Sequence, residues 1–218
     1  MKVGAIVKKC RQAMRSRFSA KGNGDVMVHA IEVFHNATDQ LIRERNRNPQ
    51  ATPFACGKGC VACCYLRVEV LPPEVFRIAG YIDGLDAAAR QGYVERLEKH
   101  AALVKGTAYR DYHSRCPFLG EGGQCGIYSV RSHRCRSHLS MSKAACDVPG
   151  NAQVDPVLQQ AEDMLALDVI ALYKSRSLSM NPAELGQAIL LALGDADCKS
   201  RWLAGEEVFE PLPEGIRV

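Results

Sequence analysis

The chain has 218 residues, of which 47% are apolar and 24% are charged, so its composition supports a folded globular core. Its net charge of +4 is spread along the chain, which argues against nonspecific nucleic-acid binding as the main role. The charge balance names no partner, so a protein or a small molecule of unknown identity is expected. The apolar N-terminal stretch is broken at Lys8 and Lys9, too early for a signal-peptide core or a membrane span, so a cytoplasmic protein without a membrane segment is expected.

Hydrophobic spacing predicts a mostly α fold with small irregular or β metal-binding loops, in which helices pack around a cysteine-rich core. Proline and acidic residues in first turns, together with capping residues, mark several helix starts. The predicted elements in chain order are a helix from Asp25 to Arg47, a loop over 48–55, a short strand from Leu66 to Leu71, helices from Pro72 to Ile82 and from Asp86 to Val104, a loop or hairpin from Cys116 to Arg136, a helix capped by Asp155, and a helix that is capped by Asn181 and ends at Gly194.

Three regions are predicted along the chain. Residues 1–50 are expected to form N-terminal helices, and residues 51–140 a cysteine-cluster metal-binding domain. Residues 141–218 are expected to form a C-terminal helical region that packs on the same unit.

Seven of the ten cysteines are clustered in two short stretches of the chain. Thiolates are soft ligands that select zinc or iron–sulfur clusters, and four of them suffice for either. In the cytoplasm thiols stay reduced, so metal binding is favoured over a disulfide framework. The candidate metal ligands are Cys56, Cys60, Cys63, Cys64, Cys116, Cys125 and Cys135. Because sequence neighbours such as Cys63 and Cys64 tend to project in different directions, the two stretches are expected to meet and to share one or two metals.

Alternatives to a single closed zinc site stay open at this point. Seven thiols exceed the need of one zinc, which favours a cluster with a spare ligand, or two metals. The spacing C-x3-C-x2-C also occurs in radical S-adenosylmethionine enzymes, but the alternating strands and helices of their barrel are missing here. His133 and His138 are possible ligands or ligand-orienting groups, and the arginines at 131, 134 and 136 either neutralise a thiolate centre, bind an anionic co-substrate or form a solvated face.

The motif CGKGCVACC, followed by CPFL, CGIY and RSHRCR, resembles the YkgJ-type cysteine-cluster family, the zinc- or iron-chelating CxxCxxCC domain. The resemblance covers roughly residues 56–137 and implies metal binding through the seven cysteines, with an iron–sulfur cluster or zinc as cofactor. Ser132 stands where the family usually has proline. Flagellin lysine N-methylases contain a similar domain, so an S-adenosylmethionine-dependent lysine N-methylase is an alternative. Its glycine-rich cofactor fingerprint is missing, because the dense glycines at 120–123 lie inside the second cysteine stretch.

Overall fold

The computed structural model describes residues 3–19, 24–57, 59–147 and 151–212. It confirms a mostly α fold with very little strand. The helices and strands in chain order are α1 Val3–Ser19, α2 Gly24–His29, α3 Ile31–Asn46, β1 Glu69–Val70, α4 Pro72–Asp83, α5 Ala87–Val104, α6 His133–Ser137, α7 Pro156–Lys174, β2 Ala183–Glu184, α8 Leu185–Gly194 and α9 Cys198–Leu203. Within these described ranges no helix combines the length and the apolar character that crossing a bilayer requires.

The chain divides into two compact units. The first comprises residues 1–58 and 132–177, and the second comprises residues 59–131 and 178–218. Each unit is therefore built from two separate stretches of sequence. The division into three regions with boundaries near residues 50 and 140, expected from the sequence, stays a prediction.

The first unit is a cluster of helices in which α1, α3 and α7 pack against one another. Phe18 and Tyr173 meet edge to face with ring centroids 4.7 Å apart, and the Tyr173 hydroxyl donates to the Met27 carbonyl at 2.8 Å. Asp155 caps α7 as predicted, because its carboxylate accepts from the amides of Val157 and Leu158 at 3.0 Å.

Glu162 is a buried carboxyl group of α7 in the first unit. Its side chain is 4% exposed, and its Oε1 atom has no hydrogen-bond partner. Burial raises the pKa of Glu162 to about 8, and the charges of Asp163 and Asp155 act in the same direction while Arg134 opposes them. The folded state therefore holds this proton more tightly than the unfolded chain does.

Glu162 is expected to make stability fall as pH rises. The contribution of Glu162 to folding stability is fully present below its ordinary pKa of 4.5 and is lost as pH rises through its folded-state pKa of about 8. The variant Glu162→Gln lacks this pH dependence. The melting temperature of the variant minus that of the wild type should therefore be larger at pH 9 than at pH 5. Each pKa unit corresponds to about 1.4 kcal/mol, so the gain is measurable by circular dichroism melting. An equal difference between the two proteins at both pH values would contradict this account.

The second unit packs α4, α5 and α8 together, with a two-stranded sheet beside them. Strands β1 and β2 are antiparallel, with Glu69 opposite Glu184. Trp202, which is fully buried, lies 5.2 Å from the Phe76 ring centre and donates from its indole nitrogen to the Ser179 carbonyl at 2.8 Å. The two strands thus pair chain segments that lie more than 100 residues apart in sequence.

Several predicted elements are confirmed and others are corrected. The helices at Pro72 and Asp86 begin as predicted, whereas the long helix from Asp25 is interrupted at Ala30. The predicted helix start at Asn181 is wrong, because Ala183 and Glu184 pair with β1 and the Glu184 side chain caps α8 by accepting from an amide three residues on. The strand predicted from Leu66 to Leu71 is confirmed only at Glu69 and Val70, in its C-terminal half.

Candidate metal centre

A tight turn carries three of the predicted ligands, Cys60, Cys63 and Cys64, in the second unit. Gly59 has a φ of +83°, a left-handed conformation that glycine adopts without a steric cost. A 3-10 helix over Ala62–Tyr65 follows. We refer to residues 60–65 as the turn segment.

The neighbouring thiols of Cys63 and Cys64 contact each other despite their adjacency. A hydrogen bond from the Cys64 side chain lowers the pKa of Cys63 to about 7, against the opposing effect of burial, and the Arg131 cation adds to the lowering. The sequence expectation that these side chains diverge is therefore corrected. The contact places a thiol of thiolate character next to a second sulfur.

A hairpin carries Cys116 and Cys125 in the same unit. Leu119 and Cys125 form an antiparallel bridge, and the Gly126 amide donates to the Phe118 carbonyl at 2.8 Å. Gly123, with a φ of +77°, closes the turn. We refer to residues 114–126 as the hairpin segment. It confirms the first part of the loop or hairpin predicted from Cys116 to Arg136, whereas the end of that range is wrong, because α6 begins at His133.

The turn segment and the hairpin segment lie side by side. The Cys116 amide donates to the Cys64 carbonyl at 2.7 Å, and the Ser114 amide donates to the Tyr65 carbonyl at 3.2 Å. Burial raises the pKa of Cys125, to which the negative charge of Cys63 also contributes. Residues that are about 50 positions apart in sequence are thus brought together in one unit.

Arg131 supplies positive charge to this group of thiols. Its guanidinium lies 4.2 Å from the ring centre of Tyr128, which is exposed, and its charge favours the thiolate forms of Cys63 and Cys125. Arg136 belongs to the first unit, where it forms an ion pair with Asp39 at 2.9 Å.

Cys56 and Cys135 belong to the first unit, and their ligation of metal stays a prediction. The Cys56 sulfur accepts from the Ser140 amide at 3.3 Å. Cys135 lies in α6, whose N-cap Ser132 accepts from the Cys135 amide at 3.4 Å. Ser132 therefore caps a helix.

The predicted histidines also lie in the first unit. His133 is buried, with its Nδ1 atom 3.2 Å from the Thr38 hydroxyl and its ring 4.3 Å from that of Phe34. Burial lowers the pKa of His138, and the nearby Arg134 charge acts in the same direction. A neutral His138 keeps a lone pair available, although ligation by either histidine stays a prediction.

Two cysteines outside the motif, Cys10 and Cys198, are buried in the core. Burial raises the pKa of Cys10 and of Cys198 to about 11 each, as is typical of core thiols. The described residues include all ten cysteines, and none of them forms a disulfide. Their donor atoms therefore keep the chemistry that a soft metal requires.

The donor set fits zinc or iron in its chemistry, because thiolates are soft ligands. Across the part of the chain that the structure describes, no three His, Cys, Asp or Glu side chains already lie in an arrangement that could hold a metal ion. Coupling between metal binding and folding is usual in small metal domains.

Comparison with protein families agrees with the donor chemistry. Residues 55–151 match the CxxCxxCC family model. The family is described as "Putative zinc- or iron-chelating domain". The matched region of the CxxCxxCC domain contains both cysteine segments, so the comparison indicates a zinc- or iron-chelating function. Neither the curated proteins nor the solved structures that were searched yield a match.

A group of buried polar residues near the motif cysteines was not predicted from the sequence. His100, Tyr112 and Glu184 contact one another in the second unit at distances of 3.0 to 3.2 Å. Glu184 is 72 residues from Tyr112 in sequence, so no local spacing could reveal this group.

Proposed function

We propose that this protein binds zinc or iron through thiolates of the turn and hairpin segments. Cys63, Cys64, Cys116 and Cys125 are the proposed ligands in the second unit, with Cys60 as a fifth donor in the same turn. Cys56 and Cys135 stay predicted ligands.

The observation that carries the proposal is the 2.7 Å hydrogen bond from the Cys116 amide to the Cys64 carbonyl. It joins the two cysteine segments at the residues that bear the thiols. Arg131 supports the proposal too, because a centre with several thiolates carries negative charge that a neighbouring cation stabilises.

The bound metal would supply charge stabilisation and a crosslink between two loops. Four thiolates satisfy a tetrahedral zinc, and they also satisfy an iron–sulfur cluster. The five motif thiols in the second unit therefore leave one donor beyond that number. A spare thiolate is compatible with exchange of the metal with another protein.

The lysine methylase alternative receives no support from the described residues. The glycine-dense stretch at 120–123 forms a turn in which the Gly120 amide donates to the Gln124 carbonyl at 2.8 Å. A cofactor-binding glycine loop would instead connect a strand to the N-terminus of a helix. Metal chelation is therefore the function we propose.

The proposal is tested by elemental and acid-labile sulfide analysis of protein purified without oxygen. We expect at least one zinc or iron per chain, with stoichiometric sulfide and absorption near 400 nm if a cluster is present. Colourless protein with zinc and no sulfide would support a thiolate zinc site. Protein that contains neither metal, and that takes up neither during anaerobic reconstitution, would refute the proposal.

A further inference from the structure

We infer that His100, Tyr112 and Glu184 position the Cys64–Cys116 pair, an inference that rests on the proposed metal site. We call these three residues the buried hub. All three side chains are buried in the second unit, and they come from α5, from the segment before the hairpin, and from β2.

The hub is a closed group of hydrogen bonds. The Tyr112 hydroxyl donates to the Glu184 Oε1 atom at 3.0 Å and lies 3.0 Å from the His100 Nε2 atom. The same imidazole nitrogen is 3.2 Å from Glu184 Oε1, while its Nδ1 atom is 3.5 Å from the Ser114 hydroxyl. With the proton on Nε2, the imidazole donates to the carboxylate and can accept from the serine.

Glu184 is satisfied on both carboxylate oxygens. Its Oε2 atom accepts from the Gln187 amide at 2.8 Å, so the side chain caps α8. Its Oε1 atom accepts the hydrogen bonds from Tyr112 and His100. These donors make a buried carboxylate tolerable, because each replaces a hydrogen bond to water. Removal of the Tyr112 hydroxyl would leave His100 as the one remaining hub donor to Oε1, which weakens the hydrogen bonding that fixes the carboxylate.

The hub is connected to both cysteine segments through the backbone. On one side, Tyr112 begins the stretch in which the Ser114 and Cys116 amides bond to the turn segment. On the other side, Glu184 lies opposite Glu69 in the sheet, and the next amide, of Leu185, donates to the Val68 carbonyl at 3.0 Å. Val68 follows Cys64 by four residues, so both ligand-bearing segments are tied to the hub a few residues from their thiols.

Close packing limits movement of the hub. A Cβ atom added at Gly186 would lie 2.3 Å from the His100 Cδ2 atom, so the imidazole packs directly against this backbone. The His100 ring therefore has little freedom to follow Tyr112 or Glu184 if either is changed. Groups that hydrogen-bond metal ligands directly typically contribute about 10- to 100-fold to metal affinity. The hub acts through the backbone instead, so we expect an effect near the lower end of that range.

The test compares Tyr112→Phe with Tyr173→Phe. Each variant removes one buried hydroxyl donor, in the second unit and in the first unit respectively. We expect Tyr112→Phe to weaken zinc binding by about 10-fold or more while Tyr173→Phe leaves it unchanged. We also expect the Cys116 amide to exchange faster with solvent in metal-free Tyr112→Phe, as measured by NMR, because its bond to Cys64 is less well held.

The two readouts separate the inference from the proposed function. Unchanged zinc affinity and unchanged Cys116 exchange in folded Tyr112→Phe would overturn the inference alone. Failure of the wild type to bind zinc or iron would overturn the proposed function and the inference with it. If Tyr112→Phe does not fold, Ser114→Ala replaces it, since that variant removes only the 3.5 Å contact and should give a smaller change in the same direction.

Discussion

Replacing Cys116 with serine is expected to lower the affinity for zinc by about 100-fold or more. The Cys116 amide is bonded to the Cys64 carbonyl, so its thiol lies at the junction of the two cysteine segments. Serine keeps the shape and the backbone bond but replaces a soft thiolate with a hard, neutral hydroxyl. Replacing a residue that hydrogen-bonds a metal ligand already lowers metal affinity by about 10- to 100-fold. Replacing a ligand itself should lower it by at least the upper end of that range. Competition with a coloured chelator measures the affinity.

Cys198→Ala is the matched control for this experiment. Cys198 is a fully buried cysteine of the second unit, and the sequence places it outside the motif. We expect its zinc affinity to equal that of the wild type, although a small cavity lowers its stability. Equal zinc affinity in wild type and Cys116→Ser would remove Cys116 from the proposed ligands.

Zinc is expected to stabilise the second unit against unfolding. A ligand that binds only the folded state stabilises it by about 4 kcal/mol when present at a thousand times its dissociation constant. The only tryptophan of the chain, Trp202, is buried in the second unit, so its fluorescence reports the unfolding of that unit. We therefore expect the urea midpoint of Trp202 fluorescence to rise on addition of zinc and to fall again after a chelator removes the metal.

Cys116→Ser distinguishes a specific effect of zinc from a general one. The variant should lose most of the zinc-dependent shift while it keeps a similar midpoint in the metal-free state. A shift of the same size in both proteins would mean that zinc acts elsewhere in the chain. Absence of any shift in the wild type, for zinc and for iron, would contradict coupling between metal binding and folding.

Local sequence signals predicted the helices well where a cap or a proline marks the start. Asp155 and Pro156 gave the correct start of α7, and Asp86 gave that of α5. The same signals at Asn181 and Pro182 failed, because pairing of Ala183 and Glu184 with a strand more than 100 residues away overrides local propensity. Helix propensity therefore decided the outcome only where no distant strand competed.

The cysteine motif predicted a metal-chelating domain, while the ligation of metal by particular cysteines stays a prediction. Density and order of the thiols indicated a soft-metal site, and the family match over residues 55–151 supports zinc or iron chelation. The Cys63–Cys64 contact and the buried hub were not predictable, because they depend on side-chain orientation and on contacts between distant segments. Sequence spacing alone carries neither kind of information.

X-ray absorption at the metal edge tests the central claim most directly. For the wild type loaded with zinc, the account predicts a first shell of sulfur atoms at about 2.3 Å, and it predicts that Cys116→Ser shows fewer sulfur neighbours. A first shell made only of nitrogen or oxygen at about 2.0 to 2.1 Å would contradict a thiolate centre built from the turn and hairpin segments.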